Sequence, residues 1–106
     1  EAALGDLQAS TMWLMANAMI NPGNAGAGSV AYMHMTGVVA LGLMWLRMAV
    51  AADAALQAGS DDGDFMQAKL VTARFYADHV MPETVSLRRK LEAGSETIME
   101  LPIAAF

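Results

Sequence analysis

The stretch VAYMHMTGVVALGLMWLRMAV, residues 30–50, decides the fold, because it holds no acidic or basic side chain before Arg47. Its length matches the roughly 20 apolar residues that a membrane span requires. However, it also contains His34 and Thr36, and no cluster of Lys or Arg flanks it to set an orientation. Three small residues would let neighbouring helices approach closely: Gly37, Ala40 and Gly42. We interpret the stretch as a buried helix of a bundle, with a membrane span as the alternative.

The composition is unusually apolar for a soluble domain. Hydrophobic residues make up 56% of the 106 residues and charged residues 16%, against about 45–50% and about 25% in ordinary domains. No Asp, Glu, Lys or Arg occurs from Leu7 to Leu46, whereas nine of the eleven acids and five of the six bases lie in residues 53–106. The length fits a single domain, residues 1–106, with a buried first half and a more solvated second half.

Charge and cysteine content limit the classes of partner. The net charge of −5 disfavours binding to phosphate backbones, so nucleic acid is not an expected partner. Without cysteine there is no disulfide framework and no thiolate zinc site. The sequence starts at Glu1 with no targeting peptide visible. We expect a cytoplasmic protein and regard the chain as a fragment of a longer polypeptide, its C-terminal part.

Periodicity predicts helices throughout. A first, amphipathic helix over residues 2–19 is predicted from residues at three- and four-residue spacing: Leu4, Leu7, Thr11, Leu14, Met15 and Ala18. Residues 22–28 are predicted to be a Gly/Asn/Ala linker. A second helix then starts at Gly28 or Ser29 and ends near Ala58, with Gly59 as its C-terminal stop.

A third helix is predicted from a capping box formed by Asp64 and Gln67 to Leu91 or Glu92, with Gly94 as its stop. Pro82 lies inside it and should kink it. One face of this helix is apolar: Leu70, Ala73, Ala77, Val80, Thr84, Leu87 and Leu91. The opposite face is polar: Gln67, Arg74, Asp78, Arg89 and Glu92. Ser95 can cap a last short helix. The predicted fold is all-α, an up-and-down bundle of three long helices plus a short C-terminal helix, with the third helix kinked at Pro82.

The second helix is apolar on every side. One side carries Val30, Gly37, Leu41, Trp45 and Met48. The other carries Tyr32, Val39, Leu43 and Val50. Two neighbouring helices do not suffice to cover this perimeter, so we expect another domain or subunit to bury the remainder.

No catalytic constellation emerges from the polar residues. His34 and His79 could form a metal pair if their helices adjoin, but ordinary hydrogen-bonded histidines are the favoured interpretation. Arg47, if buried, needs an acceptor, and the favoured partner is Glu1 or Asp6, with a carboxylate or phosphate on another domain as the alternative.

Three further patterns have plain structural explanations. Gly23, Gly26 and Gly28 are not followed by Lys-Ser or Lys-Thr, so they do not form a phosphate loop. The acidic run around Gly63 lacks calcium-loop spacing: Asp61, Asp62 and Asp64. Arg88-Arg89-Lys90 suits a helix C-terminus better than a phosphate site. The sequence therefore predicts no catalytic, cofactor-binding or metal-binding residue.

Three segments carry a family resemblance: MANAMINP (15–22), KLVTARFYADHVMPE (69–83) and LPIAAF (101–106). They resemble the extra C-terminal helical domain of one branch of the acyl-CoA dehydrogenases, which includes 3-methylmercaptopropionyl-CoA dehydrogenase-like enzymes. The resemblance spans nearly the whole chain. Its best-matching positions are packing residues: Ala73, Phe75, Tyr76, Ala77 and Pro82.

The resemblance implies a parent flavoprotein oxidoreductase of fatty acid metabolism. Its upstream domains would bind FAD and acyl-CoA, and a glutamate there would abstract the α-proton while the flavin takes the β-hydride. None of these residues maps onto this sequence. We expect this domain to be non-catalytic, to contact the upstream dehydrogenase domains or an identical subunit, and to bind neither FAD nor a membrane. The alternatives are a free-standing helical interaction or ligand-binding bundle and a small membrane protein.

Overall fold

The computed structural model describes residues 2–106, and within them every regular element is helical. The α-helices are α1 (Ala2–Asn17), α2 (Pro22–Gln57), α3 (Gly63–Phe75), α4 (Glu83–Glu92) and α5 (Glu96–Met99). A π-helical segment, Tyr76–Val80, follows α3, and a 3₁₀ turn, Ile103–Ala105, lies near the C-terminus. The all-α prediction is confirmed.

Helix α2 begins at Pro22 rather than at Gly28 or Ser29, so the predicted linker over residues 22–28 is wrong. Asn21 is the N-cap residue, and its side-chain oxygen accepts a hydrogen bond from the Gly23 N–H at 3.0 Å. Pro22 fits the first helical position because its missing N–H would have no partner there. The cap and the proline together outweigh the low helix propensity of the glycines that follow.

The chain reverses between α2 and α3 in two steps. Gly59 has φ +77°, a left-handed conformation that favours glycine, so the predicted stop after Ala58 agrees with the structure. The predicted capping box of Asp64 and Gln67 is wrong, because α3 begins at Gly63 and Asp62 is its N-cap residue. Asp64 instead lies in the first turn of α3, where its negative charge interacts favourably with the helix dipole.

The predicted continuous third helix is divided into α3, the π-helical segment and α4. The Met81 N–H donates to the Tyr76 carbonyl at 2.9 Å, a bond across five residues. Pro82 has no N–H, and its ring would clash with the carbonyl four residues earlier. We attribute the wider turn to this proline. A regular helix resumes at Glu83, and Gly94 ends the region with φ +73°.

The hydroxyl of Tyr76 connects the π-helical segment to α2. It donates to the Val38 carbonyl with an O···O distance of 2.6 Å. The phenol is half-buried, and burial raises its pKa. The folded chain therefore holds this proton to a higher pH than the unfolded chain does.

We expect Tyr76→Phe to lower the free energy of unfolding by about 1 kcal/mol, the typical net contribution of one hydrogen bond. In the unsubstituted chain, the Tyr76 contribution is complete below the unfolded pKa of about 10 and falls as the pH rises above it. The Phe variant should lose this part of the alkaline decline. Urea unfolding of both chains below and above pH 10 measures it, and an identical decline in both would contradict the assignment.

The helices pack up, down and up. Ser10 contacts Met35 and Thr11 contacts Tyr32, so α1 runs antiparallel to α2. At one end of the molecule, the Asn24 side chain of α2 connects the end of α1 with the turn that follows α4. Its Oδ1 accepts from the Ser95 N–H at 3.0 Å, and its Nδ2 donates to the Asn17 carbonyl at 3.3 Å. At the other end, the Lys69 ammonium of α3 lies 5.9 Å from the centre of the Trp45 ring of α2.

The interior is small, and the helices bury different faces from those that a simple periodicity suggests. Its largest fully buried side chains come from α1, α2 and α4: Met35, Leu91, Thr84 and Ser10. In α1 the predicted apolar face is only partly right, because Leu4 and Met15 are 47% and 70% exposed while Ala3 and Ser10 are buried. The predicted inward face of the third helix agrees better with the structure, because its members Leu87, Leu91 and Thr84 are buried.

The molecule is an elongated slab with principal extents of 68 × 28 × 15 Å. Its radius of gyration is 19.2 Å, whereas a compact domain of this length would have about 13 Å. The slab shape leaves α2 with neighbours on one side only over much of its length.

Candidate functional site

The two histidines do not assemble a metal site. His34 and His79 are both exposed, and His79 stacks on Phe75 with ring centres 5.0 Å apart. Residues 2–106 contain no group of three or more His, Asp or Glu side chains positioned to hold an ion. The acidic run at the start of α3 belongs to the turn and its first helical residues.

Arg47 is exposed, and the predicted Arg47–Asp6 pair is wrong because Asp6 binds Arg88 instead. The other predicted partner, Glu1, lies outside the described residues. The Arg88 Nη1 lies 3.3 Å from Asp6 Oδ1, and its Nε donates to Glu92 Oε1 at 3.0 Å. The hydrogen bonds to Glu92 and Asp6 raise the pKa of Arg88. Its donors are thus shared between two carboxylates, which disfavours a phosphate-binding role.

Asp6 also accepts a hydrogen bond from the buried Thr84 hydroxyl at 2.9 Å. One carboxylate therefore joins α1 to two successive turns of α4. Sequence reasoning missed this contact because its members are about 80 positions apart along the chain and no local spacing connects them. The contact holds α1 in register against α4.

The most distinctive surface is the outer face of α2, which we define as Val30, Met33, Gly37, Leu41, Met44 and Met48. These positions are three or four residues apart and therefore share one side of the helix. Val30, Met33 and Leu41 are 63%, 62% and 55% exposed. None of these six positions, which lie within residues 30–48, carries a charged side chain. A continuous apolar surface of this kind on a soluble chain typically marks an interface.

Gly37 lies in the middle of the outer face, and no contact among the described residues requires glycine there. A Cβ placed there would have no atom within 4 Å. Glycine in a helix interior costs about 1 kcal/mol relative to alanine. By contrast, a Cβ at Gly42 would meet the Met81 side chain, and one at Gly28 would lie 3.1 Å from Leu91 Cγ. The missing side chain at position 37 therefore leaves room for another backbone to approach the outer face.

By length and composition α2 also qualifies as a membrane span. Only 11% of its most apolar 18-residue window is buried within the chain. Core helices of soluble proteins can have the same length and composition. These two properties alone therefore do not distinguish a helix that spans a bilayer from one that packs against a protein surface.

The relatives found by comparison with known proteins agree with one another. Residues 1–102 match the family described as "Acetyl-CoA dehydrogenase C-terminal like". The chain is 41% identical over 86 residues to a 3-methylmercaptopropionyl-CoA dehydrogenase of Ruegeria pomeroyi, covering 81% of this chain. It is 37% identical over 83 residues to the broad-specificity linear acyl-CoA dehydrogenase FadE5 of Mycobacterium tuberculosis, covering 76% of this chain.

In both cases the match covers 14% of the relative, so the chain corresponds to a small part of each enzyme. The family description and the printed names of both relatives agree with the resemblance carried by residues 15–22, 69–83 and 101–106. The chain belongs to the C-terminal-domain family of the acyl-CoA dehydrogenases.

Proposed function

We propose that this chain is the non-catalytic C-terminal helical domain of a longer, FAD-dependent acyl-CoA dehydrogenase. The outer face of α2 packs against the dehydrogenase domains of the same protein. The observation that carries the proposal is the uncharged, exposed face from Val30 to Met48, which the chain's own helices leave uncovered. The two relatives supply the partner, because each has most of its length outside the matched part.

In the proposed parent, the upstream domains carry out α,β-dehydrogenation of an acyl-CoA thioester in the cytoplasm. We place the flavin site of this parent in those upstream domains. A flavin dinucleotide carries a pyrophosphate, which cationic or N–H donors must hold, yet Arg88 already donates to Asp6 and Glu92. We therefore assign this domain to packing and assembly and derive no step of the reaction from its residues.

Thiol accessibility in the complete parent protein tests this function. The described chain contains no cysteine, so a Met44→Cys variant places a single thiol on the outer face. We expect this thiol to resist maleimide in the folded protein and to react after denaturation. Gln67→Cys, on the exposed polar side of α3, is the control and should react in both states. Peptide mapping by mass spectrometry separates these thiols from any in the upstream domains.

Two outcomes would contradict the proposal. Equal reaction rates of Met44→Cys and Gln67→Cys in the folded parent would show that the outer face is open. Transfer of the complete parent into a detergent phase would instead favour insertion of α2 into a bilayer.

A further inference from the structure

The C-terminal half of α2 carries a second exposed strip, which we call the distal strip. Its residues follow one another at alternating spacings of three and four and therefore share one side of the helix: Leu43, Leu46, Val50, Asp53 and Gln57. The three apolar members are 47%, 60% and 64% exposed, in chain order. Leu46 is two residues beyond Met44, or about 160° around the helix. The distal strip and the outer face thus lie on opposite sides of α2.

The charges on this side are separated along the helix axis. Arg74 of α3 lies beside Leu46, because both line a cleft between α2 and α3. It is exposed, and the ion pairs within residues 2–106 involve Arg88 rather than Arg74. Asp53 is also exposed, seven residues beyond Leu46, or about 10 Å along α2. One side of the molecule therefore presents a cation, then apolar side chains, then an anion.

This arrangement is complementary to itself. Val50 lies midway between the level of Arg74, marked by Leu46, and the level of Asp53. A twofold axis through Val50 and perpendicular to α2 turns a second copy end to end, so each Arg74 reaches the level of the other copy's Asp53. An axis parallel to α2 would instead set each Arg74 against the apolar part of the strip. Burying a charge without a partner is costly, so the end-to-end arrangement is favoured.

We propose that the distal strip binds the distal strip of a second copy of this chain. The two α2 helices run antiparallel, the twofold axis passes near Val50, and an Arg74–Asp53 pair forms on each side of it. The inference rests on the proposed function for the longer parent protein in which it is tested. It does not require the outer face to dock, because that face lies on the opposite side of α2.

A second copy is the favoured occupant because it carries the required groups at the required separation. Any other partner would need an acidic and a basic group about 10 Å apart, with an apolar surface between them. The identical strip supplies all three, since Leu46 marks the level of its cation and Asp53 is its anion. Complementary charges of this kind fix the orientation of an interface more than they strengthen it. The apolar residues between them supply the buried area.

A disulfide across the twofold axis tests the inference in the complete parent protein. Val50→Cys is introduced after any native cysteines have been replaced by serine, and the protein is equilibrated in a glutathione redox buffer. A residue near the axis meets its own counterpart, so we expect a disulfide-linked dimer, which requires Cα atoms about 4.4–6.8 Å apart. Non-reducing electrophoresis measures the dimer, and peptide mapping identifies the bond. Ser86→Cys, an exposed position of α4, is the control and should give no dimer.

Charge reversal tests the orientation of the two copies. In the Val50→Cys protein, Arg74→Glu would set like charges opposite each other on both sides of the axis. We expect the equilibrium constant for the disulfide to fall at least about tenfold. Adding Asp53→Arg restores opposite charges and should recover most of this loss. Arg89→Glu makes the same charge change at an exposed position of α4 and should leave the disulfide unchanged.

The outcomes separate this inference from the proposed function. If Val50→Cys forms no dimer, or if Arg74→Glu acts no differently from Arg89→Glu, the inference fails. A Val50→Cys thiol that resists maleimide without bridging would mean that something else covers the strip, and the inference would fail equally. Protection of Met44→Cys in the same parent would leave the docking of the outer face intact. Conversely, a Val50→Cys dimer in a parent with a freely reactive Met44→Cys would support the inference and overturn the docking.

Discussion

Leu91→Ala is expected to lower the free energy of unfolding by about 3 kcal/mol, in the middle of the range for leucines truncated in a core. Leu91 has no solvent exposure. It lies over Gly28 of α2 and beside Leu14 of α1, so it joins all three helices. Gly28 has no side chain to fill the space, and the hydrogen bond from the Ser95 N–H to Asn24 Oδ1 holds α2 and the end of α4 in place.

Urea unfolding of the 106-residue chain measures this effect. Leu101→Ala removes the same atoms from a side chain that is 60% exposed, and surface changes of this kind typically cost less than about 0.5 kcal/mol. The difference in the free energy of unfolding between the two variants measures the cost of the cavity that the Leu91 truncation creates. Equal losses of stability would contradict the packing described for α2 and α4.

The second large effect is expected from Met33→Glu combined with Met44→Glu, which places two carboxylates on the outer face of α2. Both side chains are exposed in the isolated chain, at 62% and 43%, so its stability should change little and its self-association should fall. In the complete parent the same carboxylates would have to be buried without partners. Burying an unpaired charge costs several kcal/mol, so the domain should detach from the dehydrogenase body.

Limited proteolysis and gel filtration of the complete parent report this detachment as faster cleavage between the domains and a larger hydrodynamic radius. Gln8→Glu combined with Gln67→Glu adds the same charge at two exposed positions away from the outer face and serves as the control. Unchanged proteolysis of the Met33/Met44 variant would mean that the outer face is not the docking surface.

The helical class could be predicted because local signals for helices agree along most of the chain. The start of α2 could not, since three glycines between residues 22 and 28 suggest a linker. The reason for Gly28 is tertiary, namely the closeness of Leu91, about 60 positions away. Likewise, Asp6 and Arg88 are adjacent only after folding, so the sequence suggested Asp6, together with Glu1, as a partner of a buried Arg47 instead.

Periodicity also failed where apolar residues surround a helix. In α1, Leu4, Met12 and Met15 are exposed although each is more apolar than the buried Ala3 and Ser10, so hydrophobicity alone did not identify the inward side. In α2 the same excess of apolar residues was informative, because it predicted an interface. The sequence therefore predicts a partner for α2, and the exposure of the outer face is the basis on which we propose the side that meets it.

The small interior has a consequence for the life of the protein in the cell. Helices α1, α2 and α4 contribute only a few wholly buried side chains, among them Ser10, Met35 and Leu91. Stability in natural domains amounts to only about 5–15 kcal/mol, and an interior this limited points to the lower end. A newly made or severed copy would open often, and proteases would degrade it. Survival of the domain would then be tied to that of the enzyme that carries it.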